Sequence, residues 1–412
     1  MNGRFTIAVC HKVGIHRETT GSGEITVKNT GSIVIGSLFV FTLSLIMLGL
    51  IMVLSSSQGL ITSDSPDSNV YEYMGKQLMW FSIGLAAMFF FFSYDYNNWE
   101  RKARWLMLIS AVLLIALFTP LSREINYARR WLIIFGFRFQ PSDFAKVAII
   151  MYVAAVWAEK RDQLDSFFKA VFFPMLFVGA LLLLIVKEPD HGTTFMIGMV
   201  VMIMWFAAGA RLSHQLPVLT FFALGLYWGI KHYPSLSNRI NAWLYPEQYL
   251  DREYYQVYQS LIGFAHGGWS GAGLGNGVQQ LGFTPYPYTD FIFSTMGEEL
   301  GFIRCSIVLA LYLGLILSGF VIAYRCSNPF GRLLAVGCTS AIGLQAILNI
   351  AVVTGAIPTT GIALPFISYG GSSLTVSMAM IGLLMNIAKD SFIADNVPVR
   401  RKRIASRHGF VQ

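Results

Sequence analysis

Charged side chains are scarce in this sequence. Asp, Glu, Lys and Arg make up 13% of its 412 residues, whereas hydrophobic residues make up 55%. Soluble domains are about 25% charged. The composition therefore excludes a soluble globular protein and indicates an integral membrane protein.

Cysteine is scarce as well. The four cysteines are Cys10, Cys305, Cys326 and Cys338. Their spacing matches no known set of metal ligands, and three of them lie in or beside apolar segments. Neither a disulfide framework nor a catalytic thiol is indicated.

Long apolar runs are abundant. A helix needs roughly 20 apolar residues to cross the hydrocarbon core of a membrane. Ten runs near that length occur close to residues 33–55, 77–93, 105–120, 143–158, 169–186, 193–209, 214–230, 297–324, 332–354 and 366–387. The sequence therefore predicts an all-α polytopic membrane protein with ten transmembrane helices.

The distribution of Lys and Arg predicts the orientation of these spans. Cytoplasmic loops carry the excess of positive charge, which here places both termini in the cytoplasm. We expect a cytoplasmic tail at residues 1–32, a membrane domain at 33–387 and a basic cytoplasmic tail at 388–412. Basic clusters beside a span ordinarily contact anionic membrane lipids, so we predict no nucleic-acid partner.

Residues 231–296 form the one long segment that this topology places outside the cytoplasm. Most other connections are short, so this segment has the most room for an extramembrane site. Its glycine-rich part, "GGWSGAGLGNG", follows no strand pattern and precedes no suitably spaced acidic residue. It therefore lacks the context of a dinucleotide-binding fingerprint, and we interpret its glycines as permitting tight turns or close backbone contact.

A second outer loop, residues 121–142, departs from the inside-positive pattern. It contains four arginines, Arg123, Arg129, Arg130 and Arg138. Guanidinium groups bind phosphate and pyrophosphate well, so these side chains are candidates for holding an anionic group. Salt bridges and contacts with lipid phosphates are the alternative.

Two polar motifs flank the predicted spans. In "QPSDFAK", Asp143 and Lys146 are three residues apart on one helical face, which predicts an ion pair. Ionisable groups within a span usually face a polar cavity. In "KEPDHGTT", which contains Glu188 and Asp190, helix capping explains most of the polar residues, and the spacing matches no established metal site.

The segment "GAIPTTGIALPFISYGGSS" concentrates prolines, glycines and hydroxyls between the last two spans. Irregular backbone at membrane depth persists only where protein or a water-lined cavity satisfies its polar groups. The sequence therefore predicts a cavity-lining turn at residues 359–372.

Three carboxylates, Asp290, Glu298 and Glu299, lie where the eighth span begins, in "TPYPYTDFIFSTMGEELG". In an unbroken helix Asp290 and Glu298 would be about 12 Å apart, farther than the acid and base of most glycoside hydrolases. A single base suffices when the leaving group is a pyrophosphate that cations can stabilise. The alternative is that Asp290 caps the eighth span.

The motifs together resemble the SEDS family, the group that contains FtsW, RodA and SpoVE. The resemblance rests on "FQPSDFAK", "EPDHGTT", "GLGNGVQQ", "TDFIFSTMGEELG" and "PTTGIALPFISYGGSS", which occur in order across nearly the whole chain. It implies a glycosyltransferase of the bacterial cytoplasmic (inner) membrane that polymerises lipid II into β-1,4-linked peptidoglycan strands at the outer face. The reaction inverts the donor anomeric carbon and releases undecaprenyl pyrophosphate. The first span and the last motif are closer to FtsW and SpoVE than to RodA, which favours division or spore-cortex synthesis.

The resemblance also implies partners and residue roles. The partners are lipid II, the growing lipid-linked strand, a class B penicillin-binding protein, other division proteins and membrane lipids. Asp290 aligns with the catalytic acidic residue, and Asp143 stands where the family usually has Glu. No cofactor is assigned, although assistance by a divalent cation, Mg²⁺ or Mn²⁺, stays open. The candidate substrate-binding residues are Arg129, Arg130, Asp143, Lys146, Thr360, Pro365, Ser368, Gly370 and Ser372.

Two other functional classes fit a polar site among membrane helices. A lipid II transporter would place polar groups near the midplane, accessible from both sides. A scaffold that recruits a transpeptidase would leave Asp290 dispensable. The grouping of a carboxylate and arginines at the outer surface favours the enzyme.

Overall fold

The computed structural model describes residues 23–57, 70–120, 122–125, 128–134, 137–163, 172–210, 212–251, 253–281, 283 and 287–394. In this part of the chain the structure is a bundle of α-helices with one small sheet. Most of both terminal tails predicted from the sequence lies outside the described residues.

Seven helices precede the long outer segment: α1 (Gly23–Ser56), α2 (Val70–Ser93), α3 (Asn97–Ala116), α4 (Pro141–Glu159), α5 (Phe173–Lys187), α6 (His191–Ala207) and α7 (Leu212–His232). Two shorter helices lie within that segment, α8 (Pro234–Leu244) and α9 (Tyr255–Gly267). The last three are α10 (Ile292–Arg325), α11 (Pro329–Val353) and α12 (Gly371–Ala394).

Each of the ten predicted apolar runs coincides largely with one of these helices. Six helices in the described residues, α1, α2, α4, α10, α11 and α12, are long and apolar enough to cross a membrane, and α5 and α6 are shorter apolar helices. The all-α, multi-pass architecture is therefore confirmed. The count of ten spans and the side on which the termini lie stay predictions.

The outer loop after α3 differs from the all-α expectation. It forms a three-stranded antiparallel sheet of β1 (Ser122–Ile125), β2 (Ala128–Ile134) and β3 (Phe137–Phe139). Strand β2 pairs with both neighbours, and Leu132 lies opposite Ser122 and Phe139. The aromatic and β-branched residues of "ARRWLII" and "FRF" favour extended backbone, but the runs are too short to be recognised beside long apolar helices.

The bundle is centred on α11. Most of its residues are buried, and it packs against α4, α6, α10 and α12. Helix α4 is also mostly buried. Because α11 ends in the irregular segment between Val353 and α12, its last turns lie beside that segment and beside the residues before α10.

The glycine-rich segment after α9 packs directly on the beginning of α10. The amide nitrogen of Ala272 donates to the carbonyl of Glu298 at 2.9 Å, and that of Gly273 donates to the carbonyl of Glu299 at 3.0 Å. A Cβ atom on Gly267 would lie only 2.1 Å from the carbonyl oxygen of Gly297. The close backbone contact inferred from these glycines is therefore observed.

Helix α10 changes direction at Gly301. This residue has φ 75° inside an otherwise helical segment, a conformation that glycine adopts without strain. The short first part of α10 thereby stays with the glycine-rich segment, while the long second part continues as a membrane span.

Candidate functional site

Asp290 lies in irregular backbone just before α10, at the end of the bundle that the sequence predicts to face outward. The N-cap of α10 is Phe291, and no side chain hydrogen-bonds there as a cap. Asp290 is half-buried, and its Oδ1 atom accepts a hydrogen bond of 2.8 Å from the hydroxyl of Thr289. The structure therefore does not support the interpretation of Asp290 as a helix cap.

The surroundings of Asp290 act on its pKa in opposite directions. Burial raises the pKa of this carboxyl above its ordinary value, and the Thr289 hydrogen bond lowers it. The positive charges of Arg239 and Arg130 also lower the pKa. Two arginines from distant parts of the chain therefore lie within electrostatic range of Asp290.

Arg130 reaches this region from strand β2. Its Nε atom donates to the carbonyl of Glu188 at 3.3 Å, and its terminal nitrogen donates to the carbonyl of Pro189. Successive side chains of a strand point to opposite faces. Arg129 accordingly lies on the other face of β2, where it is exposed. Its contact with substrate stays a prediction.

Arg239 is the second cation of the site, and the sequence analysis did not select it. It extends from α8, and its guanidinium donates to the carbonyl of Thr359 at 3.3 Å. Burial lowers the pKa of Arg239, as does the charge of Arg130, whereas Asp290 and Asp190 raise it. Its position in the outer segment, against the inside-positive pattern, was the same signal that singled out Arg130.

Glu188 and Asp190 lie beside Arg130. Asp190 caps α6 by accepting from the amide of Thr193 at 3.2 Å, which confirms the predicted capping, and it also accepts from Gln140 at 3.3 Å. Glu188 is only 1% exposed, and neither carboxyl oxygen has a hydrogen-bond partner among the described residues. Burial, followed by the negative charge of Asp190, raises the pKa of Glu188 to about 9 against the smaller opposite effect of Arg130.

The predicted ion pair of Asp143 and Lys146 is present on α4. The Nζ atom of Lys146 lies 3.4 Å from Oδ1 of Asp143, and both side chains are buried. The same Nζ atom donates to Oε1 of Gln345 on α11 at 2.9 Å. The pair therefore ties α4 to the central helix rather than standing at the surface.

The irregular segment between α11 and α12 contains most of the predicted turn at residues 359–372, whose last two residues begin α12. Ser368 Oγ accepts from the amide of Leu364 at 2.8 Å, and Ser372 Oγ accepts from the amide of Gln140 at 3.0 Å. The carbonyl of Pro365 accepts from the hydroxyl of Tyr312. Ser368, Ser372 and Pro365 thus hydrogen-bond to other parts of the protein. Their contact with substrate stays a prediction.

The other two predicted residues of this turn are half-buried. Thr360 lies next to the carbonyl that Arg239 contacts, and its hydroxyl oxygen has no partner among the described residues. Gly370 directly precedes α12. The hydroxyl of Thr360 therefore has no hydrogen-bond partner among the described residues and lies next to the carbonyl that Arg239 contacts.

Glu298 and Glu299, the other two carboxylates of the motif "TPYPYTDFIFSTMGEELG", have structural contacts. Glu298 accepts from Nδ1 of His266 at 2.9 Å and from the amides of Val278 and Gln279 at 2.9 and 3.1 Å. Glu299 accepts from the hydroxyl of Ser55 at 2.7 Å. Both are fully buried, so they join the glycine-rich segment and α1 to α10 and do not take part in the site around Asp290.

A protein-held metal does not fit the described residues. They contain no group of three or more His, Cys, Asp or Glu side chains arranged to hold a metal ion. The neighbours of Asp290 are an alcohol and two guanidinium groups, which suit an anion rather than a cation.

The sequence model of a family described as "Cell cycle protein", FtsW/RodA/SpoVE, matches residues 36–392. This chain belongs to the FtsW/RodA/SpoVE family. The family predicted from the motifs is confirmed, and with the apolar helices it identifies a multi-pass protein of the bacterial inner membrane.

Relatives in the FtsW/RodA/SpoVE family cover almost the same extent. The chain is 36% identical over 353 residues to the probable peptidoglycan glycosyltransferase FtsW of Geobacter metallireducens, covering 85% of this chain and 93% of that protein. It is 38% identical over 357 residues to the stage V sporulation protein E of Bacillus subtilis, covering 86% and 96%.

Solved structures show the same FtsW/RodA/SpoVE fold. A chain from a study of how a peptidoglycan synthase complex coordinates polymerization and crosslinking superposes with a TM-score of 0.69 at 25% identity, covering 86% of this chain and 97% of that one. The rod shape determining protein RodA of Thermus thermophilus superposes with a TM-score of 0.62 at 24% identity, covering 86% and 96%.

Proposed function

We propose that this protein is a peptidoglycan glycosyltransferase that polymerises lipid II into β-1,4-linked strands at the outer face of the inner membrane. The observation that carries the proposal is the grouping of one half-buried carboxyl, Asp290, with Arg239 and Arg130 at the outer end of the bundle. The names of the relatives support this activity. One base and two cations are the parts that a pyrophosphate-releasing transfer requires.

Asp290 acts as the base. Its carboxylate removes the proton from the 4-hydroxyl of the acceptor sugar of lipid II as that oxygen attacks the anomeric carbon of the donor strand. The new glycosidic C–O bond forms on the face opposite the leaving group, so the configuration inverts. Burial raises the pKa of Asp290, which makes its carboxylate a stronger base than an exposed aspartate.

Arg239 and Arg130 receive the leaving group. The bond between the anomeric carbon and the pyrophosphate oxygen breaks with both electrons on that oxygen, and two guanidinium groups stabilise the resulting charge. No general acid is needed because the pyrophosphate leaves as an anion. The proton on Asp290 then passes to water, which restores the base.

A polymerase of glycan strands is expected to act with a crosslinking partner. A glycan polymerase needs a transpeptidase to join its strands, and a structural neighbour comes from a complex that coordinates polymerization with crosslinking. We propose a class B penicillin-binding protein as partner, lipid II and the lipid-linked strand as substrates, and septal synthesis as the role. The identities to an FtsW and to a stage V sporulation protein, 36% and 38%, support a role in division or spore-cortex synthesis.

The test is polymerisation of labelled lipid II by purified protein, with and without its partner. Asp290→Asn preserves size but removes the base, and it should lower the rate by about 10²- to 10⁴-fold. The matched control is Asp251→Asn, which changes an exposed aspartate of the same outer segment and should keep the parent rate. Chelator and added Mg²⁺ or Mn²⁺ in the same assay show whether a divalent cation assists.

The same variants distinguish the transporter. Translocation of lipid II abstracts no proton from a sugar, so a flippase would keep its activity in Asp290→Asn. Parent-level polymerisation by well-folded Asp290→Asn protein would contradict the proposed function.

Arg239→Gln tests the second cation. It removes charge from the leaving-group site without disturbing the two carbonyls that Arg130 holds. We expect a lower kcat, with Arg239→Lys recovering part of it because a point charge replaces the bidentate fork. Unchanged kcat in Arg239→Gln would remove this residue from the site.

A further inference from the structure

Asn349 connects the base to the irregular segment between α11 and α12. From the last turns of α11, its Nδ2 atom donates to the backbone carbonyl of Asp290 at 2.7 Å and to the backbone carbonyl of Ile362 at 2.8 Å. The side chain is only 1% exposed. One amide group thus joins three parts of the chain that are distant in sequence.

The orientation of this amide is dictated by its partners. Both acceptors are carbonyl oxygens, so only the NH₂ end of the side chain can face them, and it uses both of its protons. The opposite oxygen, Oδ1, has no partner in the described part of the chain. Serine has only one proton to donate, and an ionised aspartate has none, so neither can make the same two donations.

Asp290 depends on contacts of this kind because regular structure does not fix its backbone. Helix α10 begins only at Ile292. A second link acts nearby, where the amide of Tyr369 donates to the carbonyl of Tyr288 at 2.8 Å. The residues before α10 are therefore attached to the irregular segment, and through Asn349 to the buried helix α11.

Gln345 provides an internal comparison one helical turn earlier on α11. Its Nε2 atom donates to the carbonyl of Ala363 at 2.9 Å and to the hydroxyl of Ser373 at 3.1 Å. Both amides therefore hold the irregular segment against α11. Only Asn349 also holds the residue that carries the base.

We infer that Asn349 is a positioning residue for Asp290, which holds the base and the neighbouring turn in one fixed geometry. This inference rests on the proposed function, since it assigns Asp290 the role of base. Proton transfer requires the carboxylate to meet the attacking hydroxyl at hydrogen-bonding distance. A displacement of the backbone at Asp290 consequently lowers the rate of the chemical step and leaves substrate affinity unchanged.

The test compares Asn349→Leu and Asn349→Ser with the parent enzyme in lipid II polymerisation. Leucine keeps the volume and removes both donations; serine is small, polar and too short to reach both carbonyls. We expect kcat to fall by about 10- to 100-fold, as for a misplaced catalytic group, while KM for lipid II stays at the parent value. If the leucine variant does not accumulate, the serine variant decides.

Hydrogen–deuterium exchange supplies a readout independent of activity. In folded Asn349 variants, peptides covering residues 287–296 should take up more deuterium than in the parent. Thr339→Val is the matched control, because Thr339 is a buried residue of the same helix whose hydroxyl has no partner in the described residues. It should match the parent in both measurements.

Parent-level kcat in a folded Asn349 variant, alongside inactive Asp290→Asn, would overturn the inference and leave the proposed function intact. A raised KM with unchanged kcat would also overturn it. If Asp290→Asn itself polymerises normally, the proposed function fails, and unchanged exchange at residues 287–296 would then reject the positioning role as well.

Discussion

The ammonium group of Lys146 bridges two helices. Its Nζ atom lies 3.4 Å from Oδ1 of Asp143 on its own helix and 2.9 Å from Oε1 of Gln345 on α11. Gln345 in turn holds Ala363 of the irregular segment. The predicted ion pair of Asp143 and Lys146 is thus linked through Gln345 to the irregular segment between α11 and α12.

Lys146→Met should destabilise the protein strongly. It leaves Asp143 buried without its cation, and breaking a buried ion pair costs about 3–5 kcal/mol. The double variant Asp143→Asn/Lys146→Met should recover part of the loss because no buried charge remains. Thermal unfolding of the purified variants measures both effects.

An exposed ion pair offers the control for this experiment. Arg104 on α3 and Glu159 at the end of α4 are 3.1 Å apart and are largely exposed. Surface pairs contribute about 0–1 kcal/mol, so Arg104→Ala should barely move the unfolding midpoint. Equal midpoints for Lys146→Met and Arg104→Ala would contradict the structural role of the buried pair.

Glu188 should make stability depend on pH. Its pKa is raised from 4.5 to about 9 in the folded protein, so the folded state holds a proton that the unfolded state releases. Linkage then requires stability to fall as pH rises between these two values and to level off above the folded pKa. Glu188→Gln, which stays neutral, should be more stable than the parent near pH 8 and lack that slope.

Thermal unfolding across this pH range tests the prediction. Glu247→Gln, which changes an exposed carboxyl of the outer segment, should retain the slope of the parent. Parallel curves for Glu188→Gln and the parent would show that Glu188 ionises normally in the folded protein.

Gly267→Ala should disrupt the contact between α9 and α10. The added methyl would lie 2.1 Å from the carbonyl oxygen of Gly297 and 2.7 Å from Cα of Glu298. Backbone atoms cannot move aside as a side chain can, so one helix must shift. Reduced folded yield and faster hydrogen exchange in residues 268–281 are the expected observations.

Gly75→Ala is the corresponding control, since a Cβ atom there meets nothing within 4 Å. Alanine also favours helix by about 1 kcal/mol over glycine. Gly75→Ala should therefore fold at least as well as the parent. The close-contact argument fails if the two alanine variants behave alike.

Cysteine labelling tests the predicted orientation. In a Cys10→Ser background, Glu247→Cys should react with a membrane-impermeant maleimide in intact cells, because the outer segment faces away from the cytoplasm. Arg101→Cys should react only after the cells are opened. Labelling of Arg101→Cys in intact cells would reverse the topology and remove the site from the outer face.

The sequence predicted those parts of the fold that depend on local pattern. Apolar runs located the helices, and the spacing of Asp143 and Lys146 located their ion pair. Asp290 and Arg130 were predicted as site residues because charged side chains grouped at the predicted outer face can bind and activate an anionic substrate. The small sheet was missed because its strands are only three to seven residues long.

The partners of the remaining site residues could not be predicted, because these contacts join segments that are distant in the sequence. Arg239 meets Thr359, which is 120 positions away in the chain, and Asn349 meets Asp290, which is 59 positions away. Neither residue belongs to a local motif. The turn at residues 359–372 was located correctly, but the sequence did not show that Ser368 and Ser372 satisfy backbone amides.

The buried positions of Glu298 and Glu299 affect how genetic screens of this gene should be interpreted. Both carboxylates lie within nine residues of Asp290 in one motif, yet they hold the glycine-rich segment and α1 in place. Loss-of-growth alleles are therefore expected at all three codons. Alleles at 298 and 299 should lower the amount of protein in the membrane and be recessive, whereas Asp290→Asn should accumulate normally, occupy its partner and be dominant over the wild-type copy.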